Sequence, residues 1–160
     1  MPTPTYTPLA TVTLGTAVSS VTFSSIPATY RDLILVFRGT LTTATNNELE
    51  LRINGDTGSN YVRMVVYGDG SSAGSIQDSF NSYRFSYGNN TNPFTSIVEF
   101  MDYSATDKHK TMLNRESQAN RASALGAGRW ANTAAMTSFQ VFCVQNMAVG
   151  TTLNLYGIVS

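Results

Sequence analysis

The feature that most constrains this chain is a two-residue hydrophobic alternation, cut into short runs by turn residues along almost its whole length. Glu48-Leu49-Glu50-Leu51-Arg52-Ile53 shows it most strictly, with Leu49, Leu51 and Ile53 on one side and the charges on the other. An extended backbone points successive side chains to opposite faces, so such a run buries one face and leaves the other in water. Asn54-Gly55-Asp56-Thr57-Gly58 then ends it with strong turn chemistry. Comparable runs occupy residues 9–14, 20–23, 61–67, 83–87, 95–103, 110–115, 121–130, 136–144 and 153–159. Residues 33–37, Leu-Ile-Leu-Val-Phe, are apolar on both sides and read as a central strand. The Ser/Gly-rich residues 71–75 read as a loop, and residues 131–135 hold at most one helical turn. The pattern predicts an all-β fold, a β-sandwich or jelly-roll-like arrangement of about ten short strands. On this strand phase Leu51→Asp abolishes folding, whereas Glu50→Gln is nearly silent.

At 160 residues the chain fits one domain. The domain plan is an extended arm over residues 1–8, set by Pro2, Pro4 and Pro8 around Tyr6, followed by a single β-sandwich over residues 9–160. Charged residues make up 12% of the chain, about half the ordinary share, and Ser, Thr, Asn and Gly supply the missing polarity. These side chains compete with the helical backbone for hydrogen bonds and so favour strands and turns. Ten basic residues balance ten acidic ones, which leaves no electrostatic footprint for nucleic acid. The longest apolar runs are strand-sized, so no membrane partner is expected. The amino end lacks the basic and apolar regions of a signal peptide, and Met1 runs straight into structured-looking sequence, as in a complete short gene product.

Residues able to carry chemistry are few and scattered. His109 is the only histidine; Ser104, Asp102 and Asp107 lie near it, but no nucleophile-elbow pattern is present. The simpler reading is an exposed histidine in the charged strand-edge segment Asp107-Lys108-His109-Lys110. Glu48 and Glu50 read as solvent-facing partners of Arg52, and Glu99, between Val98 and Phe100, as a buried or interface ion-pair partner. Asp56 and Asp69 sit in Gly-rich loops that could offer oxygens to calcium; neither loop has EF-hand spacing, so both read as turn residues. One His and one Cys cannot close a transition-metal shell, and Cys143 reads as a small buried hydrophobe. No catalytic, metal or cofactor-binding residue is therefore assigned, no cofactor is expected, and the chain reads as non-enzymatic.

Residues 80–90 hold aromatic rings beside amide side chains, the combination a sugar-binding surface needs. Tyr83, Phe85, Tyr87, Asn89 and Asn90 are accordingly candidate partner or glycan contacts. The competing and favoured reading has Tyr83, Phe85 and Tyr87 facing the core or a neighbouring subunit. Trp130 is open between a core residue and an interface anchor.

Several segments resemble a β-sandwich domain of tailed-bacteriophage virion proteins. They are Leu9-Ala10-Thr11-Val12-Thr13-Leu14, the run from Phe23 through Pro27 and Tyr30 to Leu33, and Arg52 through Asn54-Gly55-Asp56 to Tyr61. Met101-Asp102-Tyr103 through Thr111, Gly128-Arg129-Trp130 through Ala135, and Leu153-Asn154-Leu155-Tyr156-Gly157-Ile158 complete them. The resemblance is domain-wide, with departures concentrated in residues 71–94. It implies a virion surface component: a head decoration (cement) protein, or a tail-fibre or appendage domain binding a host receptor or glycan. The chain carries no coiled coil or fibre shaft, which favours the head surface. The implied partners are the major capsid protein or other virion proteins and further copies of the chain, trimers being the first expectation. Pro2, Pro4, Tyr6 and Pro8 would then form an arm lying along the capsid.

Overall fold

The computed structural model describes residues 5–118 and 122–159. They form twelve strands: β1 (Tyr6–Thr13), β2 (Val18–Phe23), β3 (Asp32–Gly39), β4 (Asn47–Ile53), β5 (Tyr61–Gly68), β6 (Ala73–Phe80), β7 (Tyr83–Gly88), β8 (Phe94–Met101), β9 (Lys110–Gln118), β10 (Ser123–Trp130), β11 (Phe139–Met147) and β12 (Thr152–Ile158). Eight of them make one sheet, in the order β1-β12-β3-β8-β9-β10-β5-β6, and four make the other, β2-β11-β4-β7. Every neighbouring pair is antiparallel. The chain is an all-β sandwich, as its alternation dictates.

Between the sheets lies one apolar core. Leu33, Leu35 and Phe37 of β3, and Val98 and Phe100 of β8, meet Leu49, Leu51 and Ile53 of β4 and Phe139 and Val141 of β11. Phe139 bridges two aromatic contacts, with Phe23 at 5.0 Å and Phe100 at 5.2 Å between ring centroids. Trp130 is buried in this core, which settles its alternatives. Cys143 is buried as a small apolar side chain.

The middle inward positions of β10 are small for a visible reason. A Cβ on Gly126 would stand 2.1 Å from Asn114 Oδ1, and one on Gly128 would stand 2.1 Å from Tyr83 Cε2. The Tyr83 ring therefore lies directly beneath the β10 backbone, and its hydroxyl donates to Asn114 Oδ1 at 2.5 Å. Tyr61 makes a similar tie between sheets: its phenol oxygen accepts from Ile53 N at 2.9 Å, and burial pushes its pKa up to about 12.

Four sequence expectations change. Strand β1 begins at Tyr6, so Tyr6 and Pro8 belong to the sheet and not to a free arm; Pro2 and Pro4 lie outside the described residues. Proline is tolerated in β1 because this is an edge strand, and the register shifts between Pro8 and Ala10. Residues 73–80, expected to begin as loop, form edge strand β6, held by backbone pairing with β5 despite poor strand composition. Residues 131–135 contain no helical turn.

The fourth change concerns charge. Glu50 is only 9% exposed, because Ser82 and Arg84 cover the outer side of β4: Ser82 Oγ donates to Glu50 Oε2, and Arg84 Nε lies 3.8 Å from it. Arg52, its expected partner, instead donates to Asn81 O at 3.2 Å and lies over the Phe142 ring. In the same way His109 is exposed, but Lys110 beside it is buried, with Nζ donating to the carbonyls of Ala105, Lys108 and Thr133 at 2.6, 3.0 and 3.3 Å. It pins the loop after β8 to the segment after β10.

Two predictions follow from this packing. Glu50→Gln is not silent: losing the charged acceptor costs about 1 kcal/mol, read as a melting-temperature drop of roughly 2–4 °C. Gly128→Ala destabilises by about 1–3 kcal/mol through its clash with Tyr83, while Ala127→Val on the exposed side leaves the melt within about 0.5 kcal/mol of the parent. Equal effects of the two β10 substitutions in thermal melts would contradict the strand phase.

Candidate functional site

The eight-stranded sheet is wider than the sheet beneath it. Edge strand β7 packs under β8, β9, β10 and β5, and beyond it the inner faces of β5 and β6 are left without a covering strand. A cleft of about 280 Å³ opens there, walled by Val65, Tyr67, Ile76, Phe85, Tyr87 and Ala124.

A charge network closes its deep end. Arg63 shares the inward phase of Tyr61 and Val65, and its side chain is 4% exposed. Its Nε donates to Asp78 Oδ1 at 2.9 Å and its Nη2 to Asp78 Oδ2 at 3.0 Å, a two-pronged pair across β5 and β6. Nη1 donates to Arg84 O at 3.1 Å, and Nη2 also lies 3.4 Å from Glu48 Oε1. Burial alone would lower the Arg63 pKa, but Asp78 and Tyr87 outweigh it, and the guanidinium is held above its usual value. Arg84 binds Glu48 Oε2 at 2.9 Å and lies over the Phe80 ring at 3.3 Å. Glu116 accepts from Ser86 Oγ at 2.5 Å and from Tyr87 N at 2.8 Å.

Sequence reasoning singled out neither Arg63 nor this network. The signal was present, since Arg63 stands in phase with core residues inside an otherwise apolar run. Its partners come from β4, β6 and β7, and no local spacing announces them.

The five candidate contacts divide. Tyr83 and Phe85 are buried to 1% exposure in the core, so their rings offer no face to a sugar. Tyr87 is half-buried at the cleft; its hydroxyl donates to Glu48, and burial, followed by that hydrogen bond, raises its pKa, so the phenol stays protonated at neutral pH. Asn89 and Asn90 lie beyond β7 and tie it to the loop after β3: Asn89 Nδ2 donates to Asn46 Oδ1 at 2.9 Å and Asn90 N to Thr43 O at 2.7 Å.

Asp56 and Asp69 act as turn residues. Asp69 accepts from the backbone N–H groups of Ser71 and Ser72 at 2.9 and 2.7 Å, which holds its pKa well below the usual carboxylate range. Asp56 accepts from Trp130 Nε1 at 2.6 Å and from Asn60 Nδ2 at 2.9 Å. Burial pushes the Asp56 pKa up, but hydrogen bonds from Trp130, Asn60 and Gly58 together bring it below 3.8. Among the described residues no group of three or more His, Cys, Asp or Glu side chains is placed to hold a metal ion.

The outer face of the eight-stranded sheet is the second candidate site. The register sets two rows of side chains across it. One runs Pro8, Tyr156, Ile34, Glu99, Leu113, Ala127, Met64, Gln77; the other runs Thr11, Asn154, Val36, Ile97, Arg115, Leu125, Val66, Ser75. Leu125 is 60% exposed and Met64 53%. Near the middle, Arg115 Nη2 lies 4.0 Å from Glu99 Oε1, and both side chains are open to solvent. Glu99 is thus an ion-pair member open to solvent in the single chain and not a buried one.

No family model and no curated protein matches this chain. Among solved structures it is similar to a marine PL-14 alginate lyase from Aplysia kurodai, at 12% identity, covering 84% of this chain and 72% of that one, with a TM-score of 0.35. It is also similar to the alginate lyase Aly36B, at 9% identity, covering 92% and 77%, again at 0.35. Likeness at this level carries no argument about what the chain acts on. The expectation that the chain is not an enzyme does not stand. Alginate lyases are among the solved structures similar to it, and catalytic groups assembled from separate strands leave no local motif, so a missing motif is no ground for exclusion.

Arg63→Met leaves Asp78 without its cation and costs about 3–5 kcal/mol in chemical denaturation. Asp56, with its pKa depressed on folding, contributes stability that is present above its unfolded value and lost as pH falls through the folded one. Asp56→Asn is therefore less stable than the parent at pH 6, and the gap closes as the pH falls below about 4. A gap independent of pH in melts followed by Trp130 fluorescence would contradict this.

Proposed function

We propose that this chain is a structural protein of a tailed-bacteriophage virion, a decoration protein of the head surface that works through packing surfaces. The observation that carries the reading is the outer face of the eight-stranded sheet. Leu113, Leu125, Met64 and Val66 lie side by side in solvent there. Contiguous apolar surface of this kind marks a place where another protein sits. The domain-wide resemblance to phage virion domains supplies the setting, with the major capsid protein and further copies of the chain as partners. The tail-appendage alternative loses support, because two of the aromatic rings that would stack on a glycan, Tyr83 and Phe85, are buried.

Copy number in purified particles tests this reading. A head decoration protein is present in numbers tied to the shell lattice, on the order of hundreds. A count of roughly a dozen or fewer would place the chain on an appendage, and its absence from particles would overturn the virion reading altogether.

A further inference from the structure

We infer that the outer face of the eight-stranded sheet packs against the same face of a second copy of this chain, about a two-fold axis that lies in the interface and passes between Glu99 and Arg115. The inference rests on reading this face as a packing surface and commits that surface to one occupant.

Charge is the first argument. The two central rows of the face carry one acidic and one basic side chain, on neighbouring strands β8 and β9, and are otherwise largely apolar, while Arg38 and Arg129 stand in the rows flanking them. A two-fold axis brings a surface against itself, so whatever stands on one side of the axis meets what stands on the other. With the axis between them, Glu99 of each copy faces Arg115 of the other, and the 4.0 Å pair within one chain becomes a four-membered cluster of alternating sign. A like-charged centre would forbid this arrangement; an acid beside a base invites it. The in-chain pair is worth little while it stands in water, and covering it strengthens the attraction.

Area is the second argument. Eight strands at about 4.8 Å spacing and about six residues at 3.3 Å rise give a face of roughly 34 by 20 Å. That is on the order of 700 Å² per copy and 1,400 Å² for the pair, inside the range of stable protein interfaces. Leu125, Val66, Met64 and Leu113 flank the charged centre on one side, and Ile97, Val36 and Tyr156 on the other. A rotation of half a turn therefore sets apolar side chains on apolar side chains at both ends. Two sheets stacked in this way lie about 10 Å apart with strands crossing at about 30°. A two-fold contact closes at two copies, so the unit is a dimer and not a trimer.

Sedimentation equilibrium of the full chain, across roughly 1–100 μM, reads the outcome. The parent is expected at twice the chain mass. Leu125→Asp and Val66→Asp are expected to sediment as monomers with unchanged circular dichroism, because both side chains face water in the single chain, and to melt at a temperature that no longer depends on chain concentration. Glu99→Arg and Arg115→Glu each weaken the dimer about ten-fold or more, and the double reversal in one chain restores it. A parent that is monomeric at the highest concentration, or trimeric, overturns the inference, as does a dimer indifferent to Leu125→Asp and Val66→Asp. A monomer that is nevertheless present in hundreds on particles sinks only the two-fold pairing and leaves the virion reading standing.

Discussion

Stacking a four-stranded sheet on an eight-stranded one leaves inner surface uncovered, and the rest of the molecule answers to that mismatch. Under β3, β8 and β12 the small sheet is present, and the filling is apolar: Leu35, Val98 and Leu153 against Leu49, Leu51 and Val141. Where cover gives out beside β7, the inward phase of β5 changes from Tyr61 to Arg63, and the filling becomes a guanidinium wedged among carboxylates. A charge is tolerable there because its partners arrive from three other strands and because the cleft admits water at one side. Gly126 and Gly128 thin the roof so that Tyr83, at the margin of the small sheet, fits beneath β10.

Much of this was legible in the sequence, and what was not has physical causes. The phase of β4 is written in Leu49, Leu51 and Ile53, and the central place of β3 in a run apolar on both sides. The alternation cannot say what lies above a solvent-facing position. Glu50 has the pattern of an exposed residue and is buried because residues 80–84 fold over it. Lys110 has the look of a surface charge and is buried because three carbonyls converge on its ammonium group. Strand β6 lacks β-formers and exists because β5 offers an edge to pair with. The network around Arg63 was hidden for the same reason: its members come together only when four strands do.

The two candidate sites differ in character. In the cleft the charged groups are engaged with one another, and Tyr87 presents a protonated phenol held by Glu48. On the outer face Leu113, Leu125, Met64 and Val66 stand open to solvent. That contrast favours the outer face as the surface that meets a partner.

The central claim is that the open face of the large sheet is the surface by which this protein works. Hydroxyl-radical footprinting of the isolated and the assembled chain tests it most directly, since Met64 and Leu125 lie on that face while Tyr67 lines the cleft and Val149 sits on a loop. The account predicts that oxidation of Met64 and Leu125 falls on assembly while Tyr67 and Val149 are modified as before. Unchanged oxidation at Met64 and Leu125, with protection appearing at Tyr67 or Val149, would contradict it.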